Sequence, residues 1–160
     1  MSNQSTRYVV RNASADDWPT IVDFNRRLAM ETEGLALDPD VLKSGVQAAL
    51  ADPAKARYFV ACPSDQVDRV VGQVMHTWEW SDWRNGTIWW LQSVYVASEH
   101  RGHGVFRMLF EHLKQQAEAD ESVVGIRLYI EHQNKRARAA YQQLGMVPGG
   151  YDVMESFWVK

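Results

Sequence analysis

Cysteine is almost absent from this chain of 160 residues: Cys62 stands alone, which excludes an internal disulfide and a cysteine-built metal site. Positive charge is not in excess either. Seventeen Lys and Arg against twenty Asp and Glu leave a formal net charge of −3, so a nucleic-acid partner, which usually needs a basic stripe, is not favoured. No apolar run approaches the roughly 20 residues that a membrane span needs. The opening MSNQSTRYVV holds no apolar signal core. The expectation is a soluble, cytoplasmic protein with neither a nucleic-acid nor a membrane partner. The histidines, His76, His100, His103, His112 and His132, do not form a metal set. His103 and His112 are nine apart, off the spacing of one helix face, and H-E-x-x-H does not occur, so no metal is expected. Repeats, linkers and low-complexity segments are lacking too. One domain over 1–160 is expected, with residues 1–6 as a loose tail.

What is present is a well-punctuated α/β pattern with 46% hydrophobic residues, enough for a real core. Tyr8-Val9-Val10 reads as a strand. Ser14-Ala15-Asp16-Asp17 resembles a capping box with Asp in place of Glu, and opens a helix carrying Ile21, Phe24, Leu28 and Met30. Gly34 stops it. Asp38-Pro39 starts a second helix, with Val41, Leu42, Val46 and Leu50, that ends by Asp52-Pro53. Tyr58–Ala61 is a strand, and Val70–Trp80 pairs with Thr87–Val96 as a hairpin around Asn85-Gly86. A helix follows to about Ala119, then a strand over Val123–Ile130. Lys135–Leu144 is a helix stopped by Gly145, and Tyr151–Val159 is a last strand. The fold class is α/β (α+β): a mixed, mostly antiparallel sheet of six to seven strands flanked by about four helices.

The stretch SVYVASEHRGHGVFRMLFEHL runs from strand to helix through Arg101-Gly102-His103-Gly104. A helix N-terminus offers unpaired N–H groups and a partial positive charge, which attract phosphate. Glycine lets backbone approach a ligand, and Arg101 adds a donor suited to phosphate oxygens. The turn suits an anion such as a pyrophosphate. It is not a P-loop, because no Lys-Ser or Lys-Thr follows. It is not the dinucleotide fingerprint either, because Gly102-x-Gly104 continues with Val105-Phe106-Arg107.

Val94, Tyr95, Val96, Arg101, Gly102, Gly104 and Val105, followed by Asn134, Ala137, Tyr141, Leu144, Gly145 and Met146, closely resemble the motifs of the GNAT superfamily of N-acetyltransferases. The element order agrees from Tyr8 to Trp158. Phe106 departs from the pattern, which usually has a small residue there. The resemblance implies the GNAT fold with a splayed pair of parallel strands, Thr87–Val96 and Val123–Ile130, opening around acetyl-CoA. Backbone near Val94, Tyr95 and Val96 would pair with the pantetheine arm. Arg101, Gly102, His103, Gly104, Val105 and Phe106 would hold the pyrophosphate, and Asn134, Ala137 and Tyr141 would flank the thiol end.

By the same resemblance, an amine attacks the thioester directly through a tetrahedral intermediate. An N–H at a strand bulge stabilises the oxyanion, and Tyr141 protonates the leaving thiolate. A lysine-like amine is mostly protonated at neutral pH, so a base helps. Some family members place a Glu two residues before the bulge. Gln92 stands there here and cannot act as one, so Glu79 on the neighbouring strand is the substitute, with Glu33 next. Seven Trp are present, five of them between Trp78 and Trp90. Carboxylates beside aromatic faces suit a cation. Glu31, Glu33, Trp80 and Trp83 are therefore the candidate substrate residues, although alternate strand positions face inward and part of the Trp set is core. The implied function is acetyl-CoA-dependent N-acetylation of a small cationic primary amine. Protein or peptide N-terminal acetylation and a non-catalytic acyl-CoA sensor stand as alternatives. Many family members are homodimers, and a homodimer is open here.

Overall fold

The computed structural model describes residues 6–158. The chain forms two compact units, one ending at Tyr129 and one beginning at Ile130. The first contains β1 (Tyr8–Asn12), α1 (Trp18–Glu33), α2 (Pro39–Ala51), β2 (Arg57–Pro63), β3 (Gly72–Ser81), β4 (Gly86–Val96), α3 (Val105–Ala119) and β5 (Val123–Leu128). Single 3₁₀ turns over Ala15–Asp17 and Ser98–His100 precede α1 and α3. The second unit contains α4 (Lys135–Gln143).

Local chemistry explains the helix ends. Asp17 accepts from the Ser14 backbone N–H at 2.6 Å, the expected box, but it closes a 3₁₀ turn and α1 begins one residue later. Asp17 also receives both terminal nitrogens of Arg11, at 2.8 and 2.9 Å. Gly34, at φ 63°, closes α1 in the left-handed region that glycine adopts without strain. Asp38 caps α2 by accepting from the N–H groups of Asp40 and Val41, both at 3.0 Å.

The sheet order is β1-β2-β3-β4-β5, antiparallel throughout except for the parallel pair β4–β5. On one face α1 and α2 contribute Ile21, Phe24 and Val46 to a core with Tyr58, Val60, Cys62, Val70, Tyr95 and Ala97. On the other, α3 packs on β2 and β3 and buries Val105, Leu109 and Leu113. There His76 is fully buried, stacked between Trp89 (ring centroids 3.8 Å apart) and Phe59 (5.9 Å).

Two expectations are corrected. The sheet has five strands among the described residues, not six to seven. Tyr151–Trp158 carries no regular structure and is exposed, and Val159 lies outside the described residues. The alternating apolar pattern supplies strand-like side chains, but a strand exists only where its backbone is paired. About four helices was right, as were the hairpin and the parallel pair. Among the described residues no helix is long and apolar enough to cross a membrane.

Candidate active site

The site is built around the second half of β4. Gln73 of β3 faces Tyr95 while Met75 faces Gln92, so β4 carries one extra residue between them. That is a β-bulge, and Ser93 within it has φ 51°. A buried polar chain supports the bulge. The Gln73 side-chain amide donates to the Ser93 carbonyl at 3.1 Å and to Asn25 Oδ1 at 2.7 Å, and Asn25 donates to the Tyr58 hydroxyl at 3.2 Å. Beside it, Gln92 donates to Thr77 Oγ1 at 2.9 Å.

At the same level the parallel pair ends. β4 is registered with β5 as far as Leu91↔Leu128, and β4 then continues from Gln92 to Val96 while β5 stops. The parallel pair expected over Thr87–Val96 and Val123–Ile130 thus ends at Leu128, which leaves β4 beyond Leu91 without a β5 ladder.

The turn follows directly. Gly102 and Gly104 have φ 77° and 81°, and a Cβ at either would meet nothing within 4 Å. Backbone conformation, not crowding, demands glycine, and the space over the backbone is open. Gly102, His103 and Gly104 are exposed, Val105 is buried, and Phe106 is half-buried. Gly104 is the N-cap of α3, and its carbonyl accepts from Met108 at 3.0 Å. His103 donates from Nδ1 to the Arg101 carbonyl at 2.9 Å, and His100 Nδ1 meets the Tyr8 hydroxyl at 2.9 Å. An open, glycine-lined helix start fits a pyrophosphate.

Arg101 does not reach outward. Its Nε donates to the Val96 carbonyl and its Nη2 to Glu31, each at 2.8 Å, and its guanidinium lies 5.1 Å from the Tyr95 ring centroid. The Tyr95 hydroxyl donates to the other Glu31 oxygen at 2.7 Å. The Tyr95 hydroxyl and then Arg101 hold the Glu31 carboxyl below the usual range. Burial, then the Glu31 carboxylate, pushes the Tyr95 phenol up.

The other candidates are dispersed. Glu79 accepts from the Trp90 indole N–H and from Arg127 at 3.0 Å. Trp90 rests on Tyr129, with ring centroids 4.4 Å apart. Trp89 and Trp90 face opposite ways, as expected, with Trp89 in the core beside His76. Trp80 and Trp83 are exposed at the hairpin end, 62% and 85%, and Glu33 is exposed where α1 ends. In the second unit, Asn134 caps α4 by accepting from the Ala137 N–H at 3.0 Å. Ala137 and Tyr141 lie four residues apart, on one face of α4. Tyr141 is buried, and burial pushes its phenol up.

Sequence reasoning missed the Gln73–Asn25–Tyr58 chain and the Arg101–Glu31 pair. The first left a trace: Asn25 sits among Ile21, Phe24 and Leu28 on the inward face of its helix. The second joins residues 70 apart, which no local pattern reports.

The profile of the acetyltransferase (GNAT) family matches residues 18–146. A structure described as a possible acetyltransferase from Clostridium difficile 630 is 46% identical, with a TM-score of 0.88 over 96% of this chain and 99% of that one. A predicted acetyltransferase from Clostridium acetobutylicum, solved with acetyl-CoA, shares the fold at 16% identity and a TM-score of 0.76, covering 94% of this chain and 96% of its own. No curated protein matches the chain.

Proposed function

The chain belongs to the GNAT acetyltransferase family and is an acetyl-CoA-dependent acetyltransferase, and from that premise we propose that it acetylates a small primary amine that is cationic in solution. The observation that carries this reading is the conjunction on β4. The bulge at Ser93 lies where β5 departs, and the glycine turn follows at the end of the same strand.

Acetyl-CoA supplies an activated thioester; the chain supplies placement and proton handling. Freed backbone groups of β4 near Val94 and Val96 pair with the amide-bearing arm. N–H groups from Gly102 to Phe106 take the pyrophosphate. The bulge directs a β4 N–H at the carbonyl oxygen, where negative charge develops. The amine nitrogen forms its bond to the acetyl carbon, the carbon–sulfur bond breaks, and the departing sulfur takes a proton from Tyr141. A phenol pushed up by burial keeps its proton through the neutral range, as an acid must.

The acceptor side is the half-buried sheet surface of Thr77, Glu79, Trp90 and Gln92, beside Arg127 and Tyr129. Strand register sets Glu79 five residues from Val74, the level of the bulge, which is about 16 Å along β3. At that separation Glu79 takes the amine's proton only through a chain of several water molecules. Release of coenzyme A is measured with polyamines, aminoglycosides, amino acids and short peptides, for the wild type and Tyr141→Phe. Release with a small-amine class, at least tenfold slower in the variant, supports the reading. Turnover of peptides alone sinks the small-amine assignment, and donor binding without turnover of any amine sinks catalysis.

A further inference from the structure

We propose that Glu31 is a positioning residue for the donor side of the reaction: through Arg101 it holds the turn that receives the pyrophosphate, and it does not bind the acceptor. The inference rests on the acetyltransferase reading above.

Three elements converge on this carboxylate. Glu31 lies in the last turn of α1, three residues before Gly34, where the chain leaves the helix. Its Oε1 receives the hydroxyl of Tyr95, a residue of β4 whose ring is buried and packed on Phe24 of α1, with centroids 5.0 Å apart. Its Oε2 receives Nη2 of Arg101, the residue before Gly102. Arg101 in turn ties Nε to the Val96 carbonyl at the end of β4.

A guanidinium is planar, so two nitrogens bonded to protein oxygens fix its plane. The Tyr95 ring, 5.1 Å away, backs one face of it. Arg101 is thus clamped where β4 ends, and the chain enters Gly102 from a fixed direction. Its charge is offset on the spot by Glu31, so the attraction for phosphate comes from backbone N–H groups and the start of α3. Glu31 has one oxygen engaged by Tyr95 of β4 and the other by Arg101, which removes it from the acceptor residues.

The test combines coenzyme A titration calorimetry with steady-state kinetics on Glu31→Gln, Glu31→Ala, Tyr95→Phe, Arg101→Ala and the Glu31→Ala/Arg101→Ala double variant. Loss of charge-assisted hydrogen bonds in Glu31→Ala is expected to weaken coenzyme A binding about tenfold. Glu31→Gln and Tyr95→Phe, which keep most of the packing, should lose less, roughly threefold each. For Glu31→Gln the loss should appear as a raised KM for acetyl-CoA that exceeds any change in the acceptor KM, and the double variant should bind like Arg101→Ala alone, because one link is broken twice. Tighter coenzyme A binding by the Glu31 variants would overturn the proposal, since Glu31 would then be competing with phosphate for Arg101. Unchanged donor affinity with a raised acceptor KM would overturn it in favour of an acceptor role. If Arg101→Ala fails to fold, Glu31→Gln and Tyr95→Phe still decide between these outcomes. A wild-type protein that binds no coenzyme A fails the acetyltransferase reading itself, a separate result.

Discussion

His76 should make the fold acid-sensitive above the range where carboxylates titrate. Its ring is fully buried between Phe59 and Trp89. Burial, assisted by the nearby charge of Arg57, lowers its pKa from 6.5 to about 4. Above pH 6.5 the ring is neutral in both folded and unfolded chains, so this residue's contribution to stability is fully present. As pH falls below that value the unfolded chain takes up a proton that the folded chain refuses, and stability drops until the pH reaches about 4. The full loss is about 3 kcal/mol, at 1.36 kcal/mol per pKa unit, and about 2 kcal/mol of it has gone by pH 5. His112, whose ring meets Phe59 from α3, is also lowered by burial and adds a loss of the same sign. Urea unfolding followed by Trp fluorescence, at pH 7.5 and pH 5, should therefore show a steep fall for the wild type. His76→Phe keeps a ring in the stack without a proton site, and should recover about 2 kcal/mol of that fall while the His112 share remains. Equal losses for the wild type and His76→Phe would refute the reasoning, and His76→Leu guards against a ring that packs too tightly.

Gly104→Ala places an L residue at φ 81° and should cost about 1–2 kcal/mol in thermal or urea unfolding while raising the KM for acetyl-CoA; an unchanged KM would remove the turn from the donor site. Gln73→Met deletes the donor to Ser93 and leaves Asn25 short of a partner, for a loss of about 1–3 kcal/mol. Its kcat should fall more than its KM, because the bulge directs an N–H at the reacting carbonyl. A variant with wild-type kcat would show that the buried chain supports stability alone. Asp17→Ala breaks the bidentate contact with Arg11 and the Ser14 box together, and should destabilise by about 3 kcal/mol at neutral pH in urea unfolding.

Much of this architecture was legible in the residues because local chemistry decides it. Asp38-Pro39, Gly34 and the hairpin tip each act within a few residues; the structure has the first two where the sequence places them, and closes the hairpin over residues 82–85, with Gly86 already in β4 opposite Ser81. The glycine turn was legible for the same reason. What was hidden depends on pairing. The bulge at Ser93 comes from a mismatch between two strands and was expected, two residues after Gln92, only through the family resemblance, since Val94-Tyr95-Val96 alternates as though the strand were regular. Arg101 looks like a phosphate ligand until Glu31 arrives from α1. Glu79 looks like an unpartnered base in the sequence, whereas the structure ties it to Arg127 and Trp90, so that it serves the proposed reaction only as a distant proton acceptor. Tyr151–Val159 has strand chemistry, yet its described part carries no strand.

The buried cysteine of β2 has a practical consequence. Cys62 has no exposed surface, and burial pushes its thiol up, so it is slow to form the thiolate that attacks a disulfide dye. A chromogenic disulfide reagent added during turnover therefore reads coenzyme A against almost no background from folded enzyme. Each chain that opens, however, releases one thiol of its own. The same dye, applied without substrate along a urea gradient, counts open molecules by stoichiometry and calibrates the unfolding curves by titration instead of by spectrum.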